Sequence, residues 1–362
     1  MSEKKNPLRG ESFALLPVFT QERWASMDLC AERLAACWPG GCRVVNPGFR
    51  RVFSARDRGI VWNLDRAWNR YVRYPMRARR VASRAGFFHV VDHSYAHLAL
   101  SLPAERVGVY VHDLIPFEPI LNPALPRPVW HPWIFSRVWS GLRRARVVFC
   151  STRSVWDRLA GMGIWPTERV IHAPYGVCDE FRAAGPMETG NYLLHVGSCV
   201  ARKRVEDLLR VFAGVRKQVP DARLIQAGGT FTKGQRALVK SLVLEGAVEQ
   251  RRDLTRDDLA RLYRGARVVL MPSDNEGFGL PVIEAMACGA PVVASDLPTL
   301  REAGGGVARH VPVGDIGGFT RAVLEAMEGH DPAPGLAHAG KFTWANHAAI
   351  IHGAYSRLAD GL

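Results

Sequence analysis

The chain has 362 residues, of which 48% are hydrophobic and 23% are charged, and its formal net charge is +14. This length favours two domains of ordinary size, and the apolar fraction is that of a soluble globular protein. The sequence contains neither an apolar run of 18 residues nor an N-terminal signal pattern, so it supports neither a membrane-spanning helix nor export. Its seven cysteines form no CxxC pair and indicate reduced, mostly buried thiols. We therefore expect a cytoplasmic protein.

The first half of the chain predicts short buried strands. Apolar runs at 13–18, 88–91, 106–111, 146–150 and 170–173 are followed by polar or turn residues, as buried strands are. Two of these runs end beside histidines, because Asp92-His93 follows 88–91 and His112-Asp113 follows 106–111. A histidine at a strand end is more often structural than functional, so position alone assigns it no role.

The most basic part of the chain runs from Arg66 to Arg84, where seven arginines interleave with three aromatic residues. Residues 1–180 hold 26 basic and 15 acidic residues, a net charge of +11. Such a segment can lie on an anionic membrane, or it can be a solvated face of a chain that uses arginine as its general surface cation. Contact with nucleic acid has the least support, because no helix-turn-helix, zinc or RNP pattern accompanies the arginines. We expect no nucleic acid partner, and the other two interpretations stay open.

The second half of the chain alternates between predicted strands and helices. A stretch with prolines and glycines at 174–190 is the predicted linker. The alternation beyond it is typical of an α/β protein with a parallel sheet. Strands are predicted at 192–196, 223–227, 267–271 and 291–295, and helices at 203–218, 233–246, 256–265, 281–288 and 342–362.

A basic turn follows the predicted strand at 192–196. Gly197 to Ala201 form a loop, and Arg202-Lys203-Arg204 is predicted to open the next helix. Positive charge at a helix N-terminus opposes the helix dipole, so we interpret this cluster as meeting an anion at the carboxyl end of the sheet. Arginine can bind phosphate through two parallel hydrogen bonds, and lysine acts as a point charge.

The most informative motif is EGFGLPVIE, which begins at Glu276 and ends at Glu284. It predicts a helix that starts near Pro281 and carries Glu284 in its first turn. A glycine-rich turn at a helix N-terminus favours phosphate, and the flanking glutamates can accept hydrogen bonds from hydroxyl groups. The backbone N–H groups of this turn belong to Gly277, Phe278, Gly279 and Leu280. A turn that favours phosphate, flanked on both sides by groups that bind hydroxyls, matches the chemical groups of a nucleotide-sugar.

The stretches EGFGLPVIEAMACGAPVVAS and GSCVARKRVEDLL resemble the C-terminal half of family 4 retaining glycosyltransferases of the GT-B fold. The similarity covers most of 146–362, is moderate over 86–145 and is weak over 1–85. It implies an α/β protein with two Rossmann-like domains whose parallel sheets face a central cleft. These would be an acceptor-side domain at 1–178, a nucleotide-sugar-binding domain at 190–341, and a helix at 342–362 that returns to the first domain. The resemblance also implies a nucleotide-sugar substrate, no cofactor and no obligatory metal.

The resemblance further implies roles for single residues of the second domain. Glu276 would contact the donor sugar during catalysis, and Glu284 would contact the ribose. Arg202 and Lys203 would neutralise the pyrophosphate, together with the backbone amides of 277–280. These assignments define the predicted donor site.

On the side of the first domain the resemblance is less complete. His93 falls where family members place a histidine that faces the donor sugar, and we assign it to catalysis. His112 and Asp113 match a second family signature and either shape the cleft or support the core of the first domain. The chain departs from the family by the lack of glycine at 19–24, by Ser198 in place of an arginine, and by a tyrosine before Gly176 in place of asparagine.

The sequence therefore predicts a retaining glycosyltransferase of cell-envelope polysaccharide biosynthesis. It would move a hexose of the mannose or glucose type from a nucleotide-sugar to a hydroxyl of a glycan or lipid-linked acceptor, in the cytoplasm or peripherally at the inner face of the membrane. The alternatives are a nucleotide-sugar epimerase or hydrolase of the same fold and, from another class, a basic nucleic-acid-binding protein. A dehydrogenase is disfavoured because no G-x-G-x-x-G follows a strand. The chain contains no D-x-D pair, so we expect catalysis without a metal.

Overall fold

The computed structural model describes residues 10–22, 24–55, 59–121 and 132–360. The chain divides into two compact units, of which the first comprises residues 1–175 with 344–362 and the second comprises residues 176–343. The first change of unit therefore lies at the start of the predicted linker at 174–190. The outer ends of the predicted domains, 1–9 and 361–362, lie outside the described residues.

A six-stranded parallel sheet forms the centre of the first unit. Its strands are β1 Gly10–Leu16, β2 Cys42–Val44, β3 Phe87–Val90, β4 Val107–Val111, β5 Val147–Cys150 and β6 Val170–His172, in the spatial order β2-β1-β3-β4-β5-β6. All residues of β3, β4 and β5 are buried, as expected for central strands of a parallel sheet with both faces covered. The five predicted strands are confirmed. Strand β2 was not predicted because its three residues lie at the sheet edge and form no apolar run.

The helices of the first unit include one irregular segment within the basic part of the chain. They are α1 Ala25–Cys37, α2 Ile60–Trp68, α3 Tyr74–Val81, α4 Glu118–Leu121, α5 Pro132–Arg144 and α6 Arg153–Gly161. A π-helical turn, Asn69–Arg73, joins α2 to α3, and the Tyr74 amide donates to the Asn69 carbonyl five residues earlier. Pro75 explains this wider turn, because proline has no amide N–H and its ring clashes with the carbonyl four residues before it.

The second unit is built around another six-stranded parallel sheet. Its strands are β7 Tyr192–Gly197, β8 Arg223–Gly228, β9 Val248–Arg251, β10 Val268–Met271, β11 Val292–Ser295 and β12 Arg309–Val311, in the order β12-β11-β10-β7-β8-β9. The four predicted strands are confirmed. Strands β9 and β12 were missed because they are the two edge strands and carry charged residues, which interrupt the apolar pattern.

Seven helices connect and cover this second sheet. They are α7 Val205–Arg216, α8 Lys233–Ser241, α9 Arg256–Gly265, α10 Leu280–Ala287, α11 Pro298–Gly304, α12 Ile316–Glu328 and α13 Ala333–Ala339. The threonines Thr232 and Thr255 start α8 and α9 through reciprocal capping boxes. Leu208 and Phe212 of α7 belong to one buried cluster with Leu270, so the helix face predicted as apolar packs into the core of this unit.

The last helix, α14 Trp344–Asp360, belongs to the first unit. The buried Tyr355 hydroxyl donates to the Phe88 carbonyl at 3.0 Å, and its ring lies 5.0 Å from that of Phe13. A Cβ at Gly108 would lie 2.1 Å from the same hydroxyl, so β4 needs glycine at this position. The predicted α/β class with parallel sheets is confirmed.

Candidate functional site

Strand β7 ends at a turn that places the basic cluster ahead of the next helix. Residues Ala201–Lys203 form a 3-10 turn, and Arg204 has a left-handed backbone conformation with φ of 48°. The helix α7 starts only at Val205, so the prediction that Arg202-Lys203-Arg204 opens the helix was wrong. The left-handed residue redirects the chain, and the cations therefore belong to the turn at the carboxyl end of the sheet.

Lys203 and Glu276 form a buried ion pair at this turn. The Lys203 Nζ lies 2.6 Å from Glu276 Oε1, and both side chains are less than 10% exposed. Arg202 Nη1 lies 3.2 Å from Glu276 Oε2 and donates to the Asn275 carbonyl at 3.0 Å. The Ser273 hydroxyl donates to Glu276 Oε1 at 2.6 Å. The structure thus brings the predicted residues Arg202 and Lys203 together with Glu276, which lies more than 70 positions further along the chain.

The backbone joins the two loops as well. Strand β10 pairs with β7, and the Asp274 amide after β10 donates to the Arg202 carbonyl at 2.9 Å. A Cβ at Gly197 would lie 3.2 Å from Lys203 Cε, so the lysine stem passes close to the end of β7. Burial and the nearby Lys203 lower the pKa of His195 to about 3, so its imidazole stays neutral at physiological pH.

The glycine-rich turn leads directly into α10. Gly279 is the N-cap with φ of 97°, and a Cβ there would lie 2.8 Å from Leu300 Cδ2. Both its left-handed backbone and this contact favour glycine. The helix starts at Leu280, one residue earlier than predicted. An α-helix leaves its first N–H groups without intrahelical acceptors, and its dipole is positive there. This helix start therefore suits an anion.

Glu284 is the fifth residue of α10, so it lies just beyond the first helical turn in which it was predicted. Its side chain is buried. Its Oε2 accepts a hydrogen bond from the Tyr263 hydroxyl of α9 at 3.0 Å. Burial raises the pKa of Glu284 to about 7, although the Tyr263 hydrogen bond and Arg256 act in the opposite direction. At neutral pH this carboxyl is therefore partly protonated and can both donate and accept hydrogen bonds.

In the first unit, His93 and His112 are both buried and lie close to each other. Their ring centroids are 6.0 Å apart, and the His112 amide donates to His93 Nδ1 at 3.3 Å. Because Nδ1 of His93 accepts, this nitrogen carries no proton and the N–H of the ring is on Nε2. Burial would raise the pKa of Asp92, but the two histidines and the Ser94 amide lower it below its ordinary value.

His112 is held at both of its ring nitrogens. Nε2 lies 2.8 Å from the Val91 carbonyl, and Nδ1 bonds to the Tyr175 hydroxyl. Because a carbonyl only accepts, Nε2 carries the proton and Nδ1 accepts from the tyrosine. These bonds support the core of the first unit, which is one of the two roles predicted for His112. Asp113 beside it is half-buried.

The sequence analysis missed two arrangements of polar residues, although it predicted the arginines from Arg66 to Arg84 as a basic segment. Glu22 lies in a short 3-10 turn after β1, pairs with Arg66 and Arg70 and accepts from the Tyr95 hydroxyl at 3.2 Å. The second group is a set of arginines around β2 and α3. The spacing of four, three, four and three residues from Arg66 to Arg80 is that of one helical stripe, a signal that could have indicated a shared arginine face but not these separate contacts. Among the described residues, no group of His, Cys, Asp or Glu is arranged to hold a metal ion.

The chain has the fold of GT-B glycosyltransferases. A sucrose-phosphate synthase from Thermosynechococcus elongatus matches it with a TM-score of 0.73 at 19% identity, over 98% of this chain and 100% of that one. The Anabaena protein HepE, solved with UDP and glucose, matches with a TM-score of 0.69 at 15% identity, over 97% and 100%. At these identities the similarity concerns the fold alone, and it confirms the predicted GT-B class.

Sequence comparison relates the second unit to a known family. Residues 179–333 match the family model of glycosyl transferases group 1. The O-antigen chain mannosyltransferase B of Escherichia coli is 28% identical over 216 residues, 54% of this chain and 56% of that protein. A D-inositol 3-phosphate glycosyltransferase of Mycolicibacterium smegmatis is 31% identical over 194 residues, 50% and 44% respectively. The chain spans about half the length of these relatives. The match to the glycosyl transferases group 1 model confirms the predicted resemblance.

Proposed function

We propose that this protein is a retaining glycosyltransferase that moves a hexose from a nucleotide-sugar to a hydroxyl of a glycan or lipid-linked acceptor. The observation that carries the proposal is the cluster of Lys203, Arg202 and Glu276 beside the glycine-rich start of α10. Cations and a helix start suit a diphosphate, and a carboxylate next to them suits sugar hydroxyls. The names of the relatives, which include mannosyltransferases and a protein solved with UDP and glucose, support a hexose and a nucleotide.

In the proposed reaction the second unit stabilises the leaving diphosphate. Negative charge grows on the diphosphate as the bond to the sugar breaks. Lys203, Arg202 and the amides of 277–280 would stabilise that charge, as oxyanion-hole donors do. Lys203 has three N–H donors, and Glu276 accepts from one of them. Retention would require the acceptor hydroxyl to enter from the face that the diphosphate leaves.

Three further residues complete the proposed assignment. Glu276 would accept from hydroxyls of the transferred sugar, and the partly protonated Glu284 would bond to the ribose. For the first unit we retain His93 as the residue that contacts the transferred sugar, through the N–H on its Nε2. Glu276 is already held by Ser273, so its carboxylate is oriented before any ligand binds.

A thermal-shift series with GDP, UDP, ADP and dTDP, and with their sugars, tests the proposal. A ligand that binds only the folded protein stabilises it by about 2.7 kcal/mol at a concentration 100-fold above its Kd. We expect one nucleoside diphosphate to raise the melting temperature and its sugar conjugate to raise it as well. If none of these ligands changes the melting temperature, the donor-site proposal is wrong.

We also propose that the first unit contacts an anionic membrane through the segment from Arg66 to Arg84 and its surroundings. Apolar side chains are unusually exposed there. On α2, Ile60 is 81% exposed and Leu64 is 55% exposed, and Met76 of α3 is 51% exposed. Arginines beside exposed apolar side chains are the composition of a surface that lies at a membrane interface.

Within the part of the chain that the structure describes, no helix is long and apolar enough to cross a membrane. Seven cysteines without a CxxC pair support a location on the reducing, cytoplasmic side.

A further inference from the structure

The first unit contains a cavity of about 580 Å³ at the carboxyl end of β2. Four arginines line it, namely Arg43, Arg73, Arg77 and Arg80, and the Trp68 ring contributes to its wall. Among the described residues that line it, there is no aspartate or glutamate. Open parallel sheets bind ligands outside the carboxyl ends of their strands, so this cavity lies at the sheet edge where a ligand is expected.

The π-helical turn decides which arginines reach this cavity. Arg66, Arg70, Arg73, Arg77 and Arg80 are spaced as one stripe on a regular helix. The turn at Asn69–Arg73 adds a residue to one helical turn and rotates the two halves of the stripe apart. Arg66 and Arg70 pair with Glu22, whereas the three arginines after them line the cavity. The wider turn thus separates the arginines that pair with Glu22 from a second set that lines the cavity.

This second set carries positive charge without a carboxylate partner. Within the described ranges, Arg73, Arg77 and Arg80 form no ion pair with aspartate or glutamate. Burial, together with the charges of Arg77 and Arg50, lowers the pKa of Arg73 below its ordinary value. Like charges held together at a concave surface repel one another, and a bound anion would relieve that repulsion.

The arginines are also held in position before a ligand binds. Arg73 donates to the Gly48 carbonyl and lies 3.4 Å from Asn69 Oδ1. Gly48 has φ of 55°, and a Cβ there would lie 2.8 Å from Arg77 Nη1, so this guanidinium packs directly on the loop after β2. Arginine side chains that are fixed in this way lose little conformational entropy when they bind phosphate oxygens.

We propose that this arginine cavity binds a phosphate or diphosphate group that is esterified to an apolar chain. The guanidinium groups match phosphate oxygens, because each can donate two parallel hydrogen bonds. The apolar chain would leave over Val44 and Met76, which line the cavity and are 49% and 51% exposed. The site is separate from the predicted diphosphate site of the second unit, and it differs from a general attraction to anionic lipid by its dependence on particular arginines.

A pair of matched double variants tests this site. Arg77→Gln with Arg80→Gln removes two cations that line the cavity. Arg79→Gln with Arg84→Gln removes two exposed cations of the same segment that do not line it. Both variants lose the same net charge, and thermal unfolding verifies that each is folded. Calorimetry with inorganic pyrophosphate measures binding of the bare group, and co-sedimentation with phosphatidate vesicles against phosphatidylcholine vesicles measures the ester.

We expect the cavity variant to bind pyrophosphate and phosphatidate vesicles at least about tenfold more weakly than the wild type, because it loses charge-assisted hydrogen bonds. The control variant should bind pyrophosphate within about twofold of the wild type, and its loss of vesicle binding should be clearly smaller than that of the cavity variant. Equal losses in both variants, or no loss in either, would overturn the site while leaving a general membrane contact intact. Loss of pyrophosphate binding alone would keep the phosphate site and show that its ligand is a soluble ester. A Lys203→Ala variant, which removes a cation of the proposed donor site, should keep the part of pyrophosphate binding that depends on Arg77. This result distinguishes the arginine cavity from the proposed donor site.

Discussion

At the scale of single residues, the pair of Lys203 and Glu276 is the feature on which the proposed donor site depends. Two charges in a protein interior cost desolvation energy, and hydrogen bonds from Arg202 and Ser273 offset part of that cost. Removal of one partner leaves the other charge buried. Both partners are therefore needed for the stability of the folded protein, and the pair is also the proposed contact to the diphosphate.

Lys203→Ala should weaken binding of the preferred nucleoside diphosphate by one to two orders of magnitude, because a charge-assisted hydrogen bond contributes about 1.5–3 kcal/mol. It should also destabilise the protein, and adding Glu276→Gln should restore part of that stability. Calorimetry measures the affinity and thermal unfolding measures the stability. Arg210→Ala is the matched control, since Arg210 pairs with Asp207 instead. Unchanged nucleotide affinity in a folded Lys203→Ala protein would contradict the assignment.

Glu284 should make the stability of the protein depend on pH. Burial raises the pKa of its carboxyl from an ordinary 4.5 to about 7. The folded state therefore binds this proton more tightly than the unfolded state. This contribution to stability is fully present below about pH 4.5 and is lost as the pH rises through 7.

At about 1.36 kcal/mol per pKa unit, the free energy of unfolding of the wild type should fall by roughly 3 kcal/mol relative to Glu284→Gln between pH 4.5 and pH 8. Urea unfolding of both proteins at several pH values measures this difference. Parallel pH profiles for the two proteins would mean that the carboxyl titrates at its ordinary pKa.

At the scale of elements, α2, the π-helical turn and α3 form one continuous helical segment. This segment carries both arginines and exposed apolar side chains. The π-helical turn has a local cause in Pro75, yet its consequence is tertiary, because it directs Arg66 and Arg70 to Glu22 and later arginines to another surface. The proposed membrane contact depends on both the arginines and the exposed side chains of α2.

Ile60→Ser with Leu64→Ser should reduce binding to anionic vesicles at least tenfold, because transfer of each apolar side chain out of water contributes about 1.5–3 kcal/mol. The stability should change little, since both side chains are already exposed in the folded protein. Co-sedimentation at low and high salt separates this apolar part from the electrostatic part. Val243→Ser is the control, because Val243 is 82% exposed in the second unit. Equal vesicle binding by all variants would exclude α2 from the contact.

At the scale of the whole molecule, each unit is a six-stranded parallel sheet with the helices that connect its strands. Parallel strands present their carboxyl ends at one edge of the sheet, so loops that are distant in sequence meet there. In the second unit that edge carries two cations and a helix start. In the first unit it carries buried histidines and the arginine cavity.

Glycosyl transfer should persist in EDTA, because cationic side chains and helix-start amides can stabilise the diphosphate without a divalent ion. The measurement is release of nucleoside diphosphate from the preferred nucleotide-sugar before and after chelation. A control with a metal-dependent transferase shows that the chelator is effective. Activity that disappears in EDTA and returns with magnesium or manganese would contradict this mechanism.

The local features of this protein could be predicted from the sequence because they depend on neighbouring residues. Apolar runs between turn residues indicated nine strands, and Gly279 with Pro281 indicated where α10 starts to within one residue. The local elements of the candidate site could be predicted for the same reason, since a glycine-rich turn, a helix start and a basic loop are each continuous in the chain. The edge strands β2, β9 and β12 could not, because strands with exposed or charged residues have no apolar signature.

Only the tertiary structure decided which of these features meet. Pairing of β7 with β10 places Lys203 against Glu276, and burial against Tyr263 changes the protonation of Glu284. The sequence by itself determined the apolar strands, the start of α10 and the residue types available at the sheet edge. It did not determine the ion pairs or the division of the arginines, because hydrophobic periodicity specifies which face of an element is buried and leaves open which element packs against it.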